Sequence, residues 1–81
     1  MLTEKKLILI IQKILKPEGK TINIKSSSLN IESWDSLNHL NILENLDKAT
    51  KGKAGSIAEL ATAMSVKKIL KILQKKKLLS K

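Results

Sequence analysis

Two stretches of helical patterning flank a segment, Pro17 to Trp34, in which no helical period holds, and this contrast limits the fold more than any other feature. Leu7, Ile8, Ile11, Ile14 and Leu15 fall at i, i+3 and i+4 spacing, the mark of a helix with one buried face. Leu9 and Ile10 widen that face. Thr3 stands where an N-cap belongs and Pro17-Glu18-Gly19 forms a stop, so the spacing predicts a helix from Glu4 to Lys16. In the segment that follows, Ile22, Ile24, Leu29 and Ile31 are scattered through a polar chain containing Ser26-Ser27-Ser28. That is the pattern of a long loop pinned to a core at a few points. Loops longer than about 12–15 residues are uncommon in compact domains and are often functional.

Helical spacing resumes at Asp35 or Ser36 and continues to Lys48, with Asp35 as the expected cap. Leu37, Leu40, Ile42 or Leu43, and Leu46 form the expected inward stripe. Asn38, His39, Asn41, Glu44, Asn45 and Asp47 are expected to face mostly outward. The glycines of Lys48-Ala49-Thr50-Lys51-Gly52-Lys53-Ala54-Gly55 break the helix. Ser56-Ile57-Ala58-Glu59 reads as a capping box opening a short helix to Met64. Ser65 caps a last helix, Val66 to Leu78. Its apolar residues Val66, Ile69, Leu70 and Leu73 share one side, opposite Lys67, Lys68, Lys71, Lys75, Lys76 and Lys77. The expected fold is all-α, a small bundle of three main helices plus one short helix, with a long loop between helices 1 and 2. Residues 1–81 are expected to form one domain, because 81 residues leave no room for two.

The chain has no cysteine, hence no disulfide framework, thiolate metal site or cysteine nucleophile. The apolar run Leu7-Ile8-Leu9-Ile10-Ile11 is broken at Gln12 and Lys13 with no small-residue cleavage site behind it, unlike a signal peptide. No stretch approaches the roughly 20 apolar residues that span a bilayer. The expectation is a soluble, cytoplasmic monomer.

The net charge of +9 points toward nucleic acid or an anionic membrane. Every basic side chain is a lysine, however, and the arginine fork that reads guanine and clamps phosphates is absent. The charge is also unevenly placed. Residues 26–47 contain no lysine and four acids, Glu32, Asp35, Glu44 and Asp47, so this window carries −4 and the rest of the chain +13.

Few residues can do chemistry. Ser36 and His39 lie three apart on one predicted helix and could touch, but no third group orients them as a nucleophile and base. A bundle this small does not enclose the usual substrate pocket, so no enzymatic activity is expected. Ser36 stands out for its position. It opens a helix after a long loop, where free N–H groups and the positive end of the helix dipole favour an esterified phosphate. Capping alone also accounts for Asp35-Ser36-Leu37.

The run from Leu29 through Ser33-Trp34-Asp35-Ser36-Leu37-Asn38-His39-Leu40 to Glu44 resembles the prosthetic-group segment of acyl carrier proteins, with Trp before Asp-Ser-Leu as in stand-alone carriers. Ile57-Ala58-Glu59-Leu60 and Ser65-Val66-Lys67-Lys68-Ile69-Leu70 are similar to that family's third and fourth helices. The resemblance implies that Ser36 receives 4′-phosphopantetheine from coenzyme A through a separate Mg²⁺-dependent phosphopantetheinyl transferase. The arm's thiol would then hold an acyl or aminoacyl cargo as a thioester for loading and using enzymes. Asp35 matches the acid before the serine and Leu37 the apolar anchor after it. The second helix would be the docking surface, with His39, Glu44 and Asp47 placed to meet partners.

Two features depart from the family. Carriers of fatty acid synthesis are strongly acidic, and this chain is basic outside its acidic window. The aromatic residue common after the second helix is replaced by Lys48-Ala49-Thr50-Lys51. The alternative reading is a basic helical protein that binds nucleic acid or an anionic membrane through its lysine-rich helices. That reading accounts for the charge but gives no reason for the Asp-Ser-Leu helix start.

Overall fold

The computed structural model describes residues 2–17 and 21–80. Helix α1 runs over Glu4–Leu15, α2 over Ser36–Ala49 and α3 over Val66–Lys75. Each of the three starts at a side-chain cap read from the sequence. Thr3 Oγ1 accepts from the Lys6 N–H, Asp35 Oδ1 from Asn38 and Ser65 Oγ from Lys68, at 2.8–3.1 Å. Glu18 and Gly19, expected with Pro17 to stop α1, lie outside the described residues.

The core is built from one face of each helix. Leu7, Ile11 and Leu15 of α1 meet Ile42 and Leu46 of α2, and Val66, Ile69, Leu70 and Leu73 of α3 complete the cluster. The inward stripe of α2 differs from the expected one. Its buried residues are His39, Ile42 and Leu46, with Leu43 half-buried, whereas Leu37 and Leu40 are 69% and 62% exposed. The reason is angular. An α-helix turns about 100° per residue, so Leu37 lies about 200° from His39, and Leu40 about 200° from Ile42. With His39 inside, both leucines must point away.

The expected short third helix is not α-helical. Two 3₁₀ turns, Ala54–Ser56 and Ala58–Thr62, are separated by an extended Ile57 (φ −95°, ψ 97°). The capping box does not form. Ser56 lies inside the first turn and its hydroxyl donates back to the Lys53 carbonyl at 2.9 Å. Ala54, Leu60 and Ala63 fix the segment by burial.

Helix α3 ends at Lys75 instead of Leu78. Lys77 adopts a left-handed φ of 59°, and the Leu78 N–H returns to the Leu73 carbonyl at 2.9 Å, closing a Schellman motif. Helix α2 ends the same way, with Lys51 at φ 56° and the Gly52 N–H on the Asp47 carbonyl at 2.7 Å. The sequence offered no strand. The structure pairs two dipeptides, β1 (Leu2–Thr3) and β2 (Leu79–Ser80), in parallel, so the two terminal segments lie side by side.

The long loop is held by more than its apolar pins. Ile22, Ile31 and Trp34 are buried as anchors, but Ile24 is 42% and Leu29 96% exposed. Polar ties replace the missing pins. The Ser28 N–H donates to the Met64 carbonyl and the Val66 N–H to the Ser26 carbonyl, both at 3.0 Å, forming a short antiparallel bridge to the start of α3. At the other end the Ser33 hydroxyl donates to the Leu15 carbonyl at 2.8 Å. The loop is thus fastened to α1 and to the entry of α3 before it delivers Asp35 and Ser36. The Cα radius of gyration, 11.4 Å, matches the roughly 12 Å expected of one compact domain this long.

Candidate functional site

Ser36 is the first residue of α2 and is exposed. Its hydroxyl is tied to no described residue. The turn around it is firmly built. The backbone of Asp35 is extended (φ −107°, ψ −178°), which lets its carboxylate swing over the helix end to accept from the Asn38 N–H at 2.8 Å. The Asp35 carbonyl accepts from the His39 N–H at 2.8 Å, and the Asn38 side-chain amide donates to the Ser33 carbonyl at 2.8 Å. Loop end and helix start therefore form one hydrogen-bonded unit, with Ser36 on its outer surface.

Beneath that surface lie Trp34 and His39, only 2% and 3% exposed. The indole Nε1–H donates to His39 Nδ1 at 3.0 Å, and His39 Nε2 lies 2.8 Å from the Leu60 carbonyl oxygen. The rings are stacked, with centroids 6.1 Å apart and planes 29° from parallel. The tautomer follows from the partners. An indole N–H only donates, so Nδ1 carries no proton, and a carbonyl only accepts, so Nε2 carries one. His39 is a neutral Nε2–H imidazole with both nitrogens in use.

This arrangement corrects two sequence expectations, those for His39 and Leu37. His39 is not a surface residue available to partners. Burial of Trp34 draws it inward, because the indole N–H needs a buried acceptor. Nor can it serve Ser36 as a base, since its one basic nitrogen already accepts from Trp34. Leu37 does not anchor the turn from within; Trp34 and His39 do, and Leu37 points outward. Asp47 is half-buried. Its Oδ1 accepts from the Gly55 N–H at 2.8 Å, bracing the turn after α2. Glu44 is exposed as expected, with only the Lys48 ammonium, itself exposed, at 3.7 Å.

The exposed side of α2 carries Leu37, Leu40, Asn41 and Glu44 at i, i+3, i+4 and i+7, a continuous strip leading away from Ser36. Its two leucines are unusual on a surface rich in lysine. Sequence reasoning missed Leu40 as a surface residue and His39 as a core one. The available signal was that the chain's single tryptophan and single histidine lie five residues apart. Among the described residues no group of three or more His, Cys, Asp or Glu side chains could hold a metal ion. No described helix is long and apolar enough to cross a membrane. No protein-family model, curated protein or solved structure matches the chain.

Proposed function

We propose that this protein is a carrier that holds an acyl or aminoacyl group as a thioester on a 4′-phosphopantetheine arm attached at Ser36, and presents it to partner enzymes. The observation that carries the reading is the exposed, unengaged Ser36 hydroxyl at the capped start of α2. A transferase can reach it without unfolding any element. The first turn of α2 offers a phosphodiester the positive end of the helix dipole. These residues fit the arm. When attached, it supplies the thiol that a chain without cysteine lacks. The residues of the chain hold the attachment point. Asp35 caps the helix, Asn38 ties it to the loop, and Trp34 with His39 supports it from below.

Partners would dock along Leu37, Leu40, Asn41 and Glu44, where two exposed leucines and an acid lie beside the attachment point. The decisive experiment is the intact mass after incubation with coenzyme A, Mg²⁺ and a broad-specificity phosphopantetheinyl transferase. One phosphopantetheine should add to the native chain and none to Ser36→Ala. A folded native sample that stays unmodified by a demonstrably active transferase counts against the carrier reading.

A second reading, a basic protein binding nucleic acid or an anionic membrane, draws on the exposed lysines of α3. The apolar residues of α3, Val66, Ile69, Leu70 and Leu73, are buried in the core, so this helix has no free apolar face to insert into lipid. Only electrostatic adsorption is left for it. Retention on heparin that falls steeply with salt, in protein that cannot be modified at Ser36, would favour this second reading.

A further inference from the structure

We propose that Trp34 and His39 act as a tautomer-dependent clamp that positions Ser36, and that protonation of His39 releases it. The inference rests on the carrier reading for the role of Ser36, but the clamp itself stands on geometry. His39 is reached from two sides. Trp34, two residues before Ser36, donates to Nδ1, and the Leu60 carbonyl of the second 3₁₀ turn accepts from the Nε2–H. One imidazole thus joins the end of the loop, the first turn of α2 and the segment before α3. The hydroxyl that would be modified lies on the same helical turn as the ring's own backbone. The other two parts are held against that turn through the ring nitrogens.

The pairing works only with a neutral ring. A second proton would have to sit on Nδ1, where it would face the indole N–H, donor against donor. Trp34 has no other acceptor among the described residues, so its N–H would be left buried and unpaired. Among the described residues no charged side chain is buried with the ring to compensate. Glu32 and Asp35 on the loop, Glu44 and Lys48 on α2, Glu59 beside Leu60, Glu4, Lys5, Lys6 and Lys13 on α1, and Lys67, Lys68, Lys71 and Lys75 on α3 are all exposed, and Asp47 is turned to Gly55. The ring therefore gains its proton by letting go of Trp34. The loop end that sets Asp35 and Ser36 then loses one of its ties to the core, while the bond from Ser33 to the Leu15 carbonyl remains, and modification at Ser36 slows.

The test follows the native protein and two variants from about pH 8 downward, for as long as each stays folded. NMR of ¹⁵N-labelled native protein should show His39 as the Nε2–H tautomer at the upper end, with the Trp34 indole N–H signal shifting as the ring is protonated. Transferase modification of Ser36 should slow about fivefold once the ring is protonated, the equivalent of one buried hydrogen bond. His39→Gln keeps one acceptor and one donor but cannot take up a proton. Its modification should keep only the transferase's own pH dependence. Trp34→Phe removes the indole donor, and its modification should lose the same dependence even though the histidine remains.

A proton on Nδ1 of native His39 would overturn the clamp. So would equal pH dependence in the native protein and His39→Gln. If no form is modified at any pH, the carrier reading fails and the role toward Ser36 falls with it. That outcome is distinct from modification that proceeds without regard to His39.

Discussion

At the scale of single residues the most constrained position is His39. Replacing it by leucine would fill the volume but leave the Trp34 indole N–H and the Leu60 carbonyl buried without partners. Each orphaned group costs about 1–3 kcal/mol, so His39→Leu should lower stability by about 2–6 kcal/mol, read from the urea midpoint. That is a large share of the about 4–12 kcal/mol expected for a chain this long. His39→Gln should lose much less; an equal loss would show that packing, not the pair of hydrogen bonds, is what the ring supplies. Gly55 is constrained for another reason. A Cβ there would stand 2.5 Å from Asp47 Oδ1 and 2.9 Å from its Cγ. Gly55→Ala must push the carboxylate away and break its bond to the Gly55 N–H, so a loss of about 1 kcal/mol is expected in the same measurement. Asp47→Asn, which keeps an acceptor oxygen, should cost less.

At the scale of elements the helix ends are informative. Lys16, Lys51 and Lys77 terminate α1, α2 and α3 in the left-handed region, at φ values of 44°, 56° and 59°. Glycine is the usual residue at such a position because it has no Cβ to crowd the following carbonyl. Lys51→Gly and Lys77→Gly should each stabilise the protein by about 0.5–1 kcal/mol, seen as a higher urea midpoint at unchanged slope. A fall in midpoint would mean that the lysine stems contribute packing that outweighs the backbone strain. The 3₁₀ segment is held by burial of Ala54, Leu60 and Ala63, by Thr50 Oγ1 and Asp47 Oδ1 accepting from the Ala54 and Gly55 N–H groups, and by the bond from His39 to Leu60.

At the scale of the whole molecule, like-charge repulsion among the lysines is the main force against the fold that solvent conditions can change. The described residues form two ion pairs, Glu44 with Lys48 and Glu59 with Lys76, at 3.7 and 3.8 Å, both well exposed. Such pairs contribute about 0–1 kcal/mol each and cannot offset the mutual repulsion behind a net charge of +9. Screening that repulsion should stabilise the fold. Raising ionic strength from about 0.01 M to 0.15 M shortens the Debye length from roughly 30 to 8 Å, and the thermal midpoint should rise. A flat or falling midpoint would mean that the lysines are spaced widely enough not to interact. The same distribution separates two surfaces. The exposed strip of α2 beside Ser36 carries Leu37, Leu40 and Glu44, while the lysines crowd α3 and the turns.

Local rules in the sequence were enough to determine the three helices, their caps at Thr3, Asp35 and Ser65, and the exposed start of α2 that carries Ser36. Caps and periodicity act over one or two turns, so they are written in neighbouring residues. The end of α3 at Lys75, the 3₁₀ turns, the Leu2–Thr3 pairing with Leu79–Ser80 and the inward place of His39 were decided by the tertiary structure. On hydropathy alone a histidine belongs outside and Leu37 inside. Trp34, brought over α2 by the loop, needed a buried acceptor for its indole N–H, and His39 provides one while donating its Nε2–H to the Leu60 carbonyl. Burial of His39 together with Ile42 and Leu46 on one face leaves Leu37 and Leu40 on the surface. The pairing exists only once three distant parts of the chain have met.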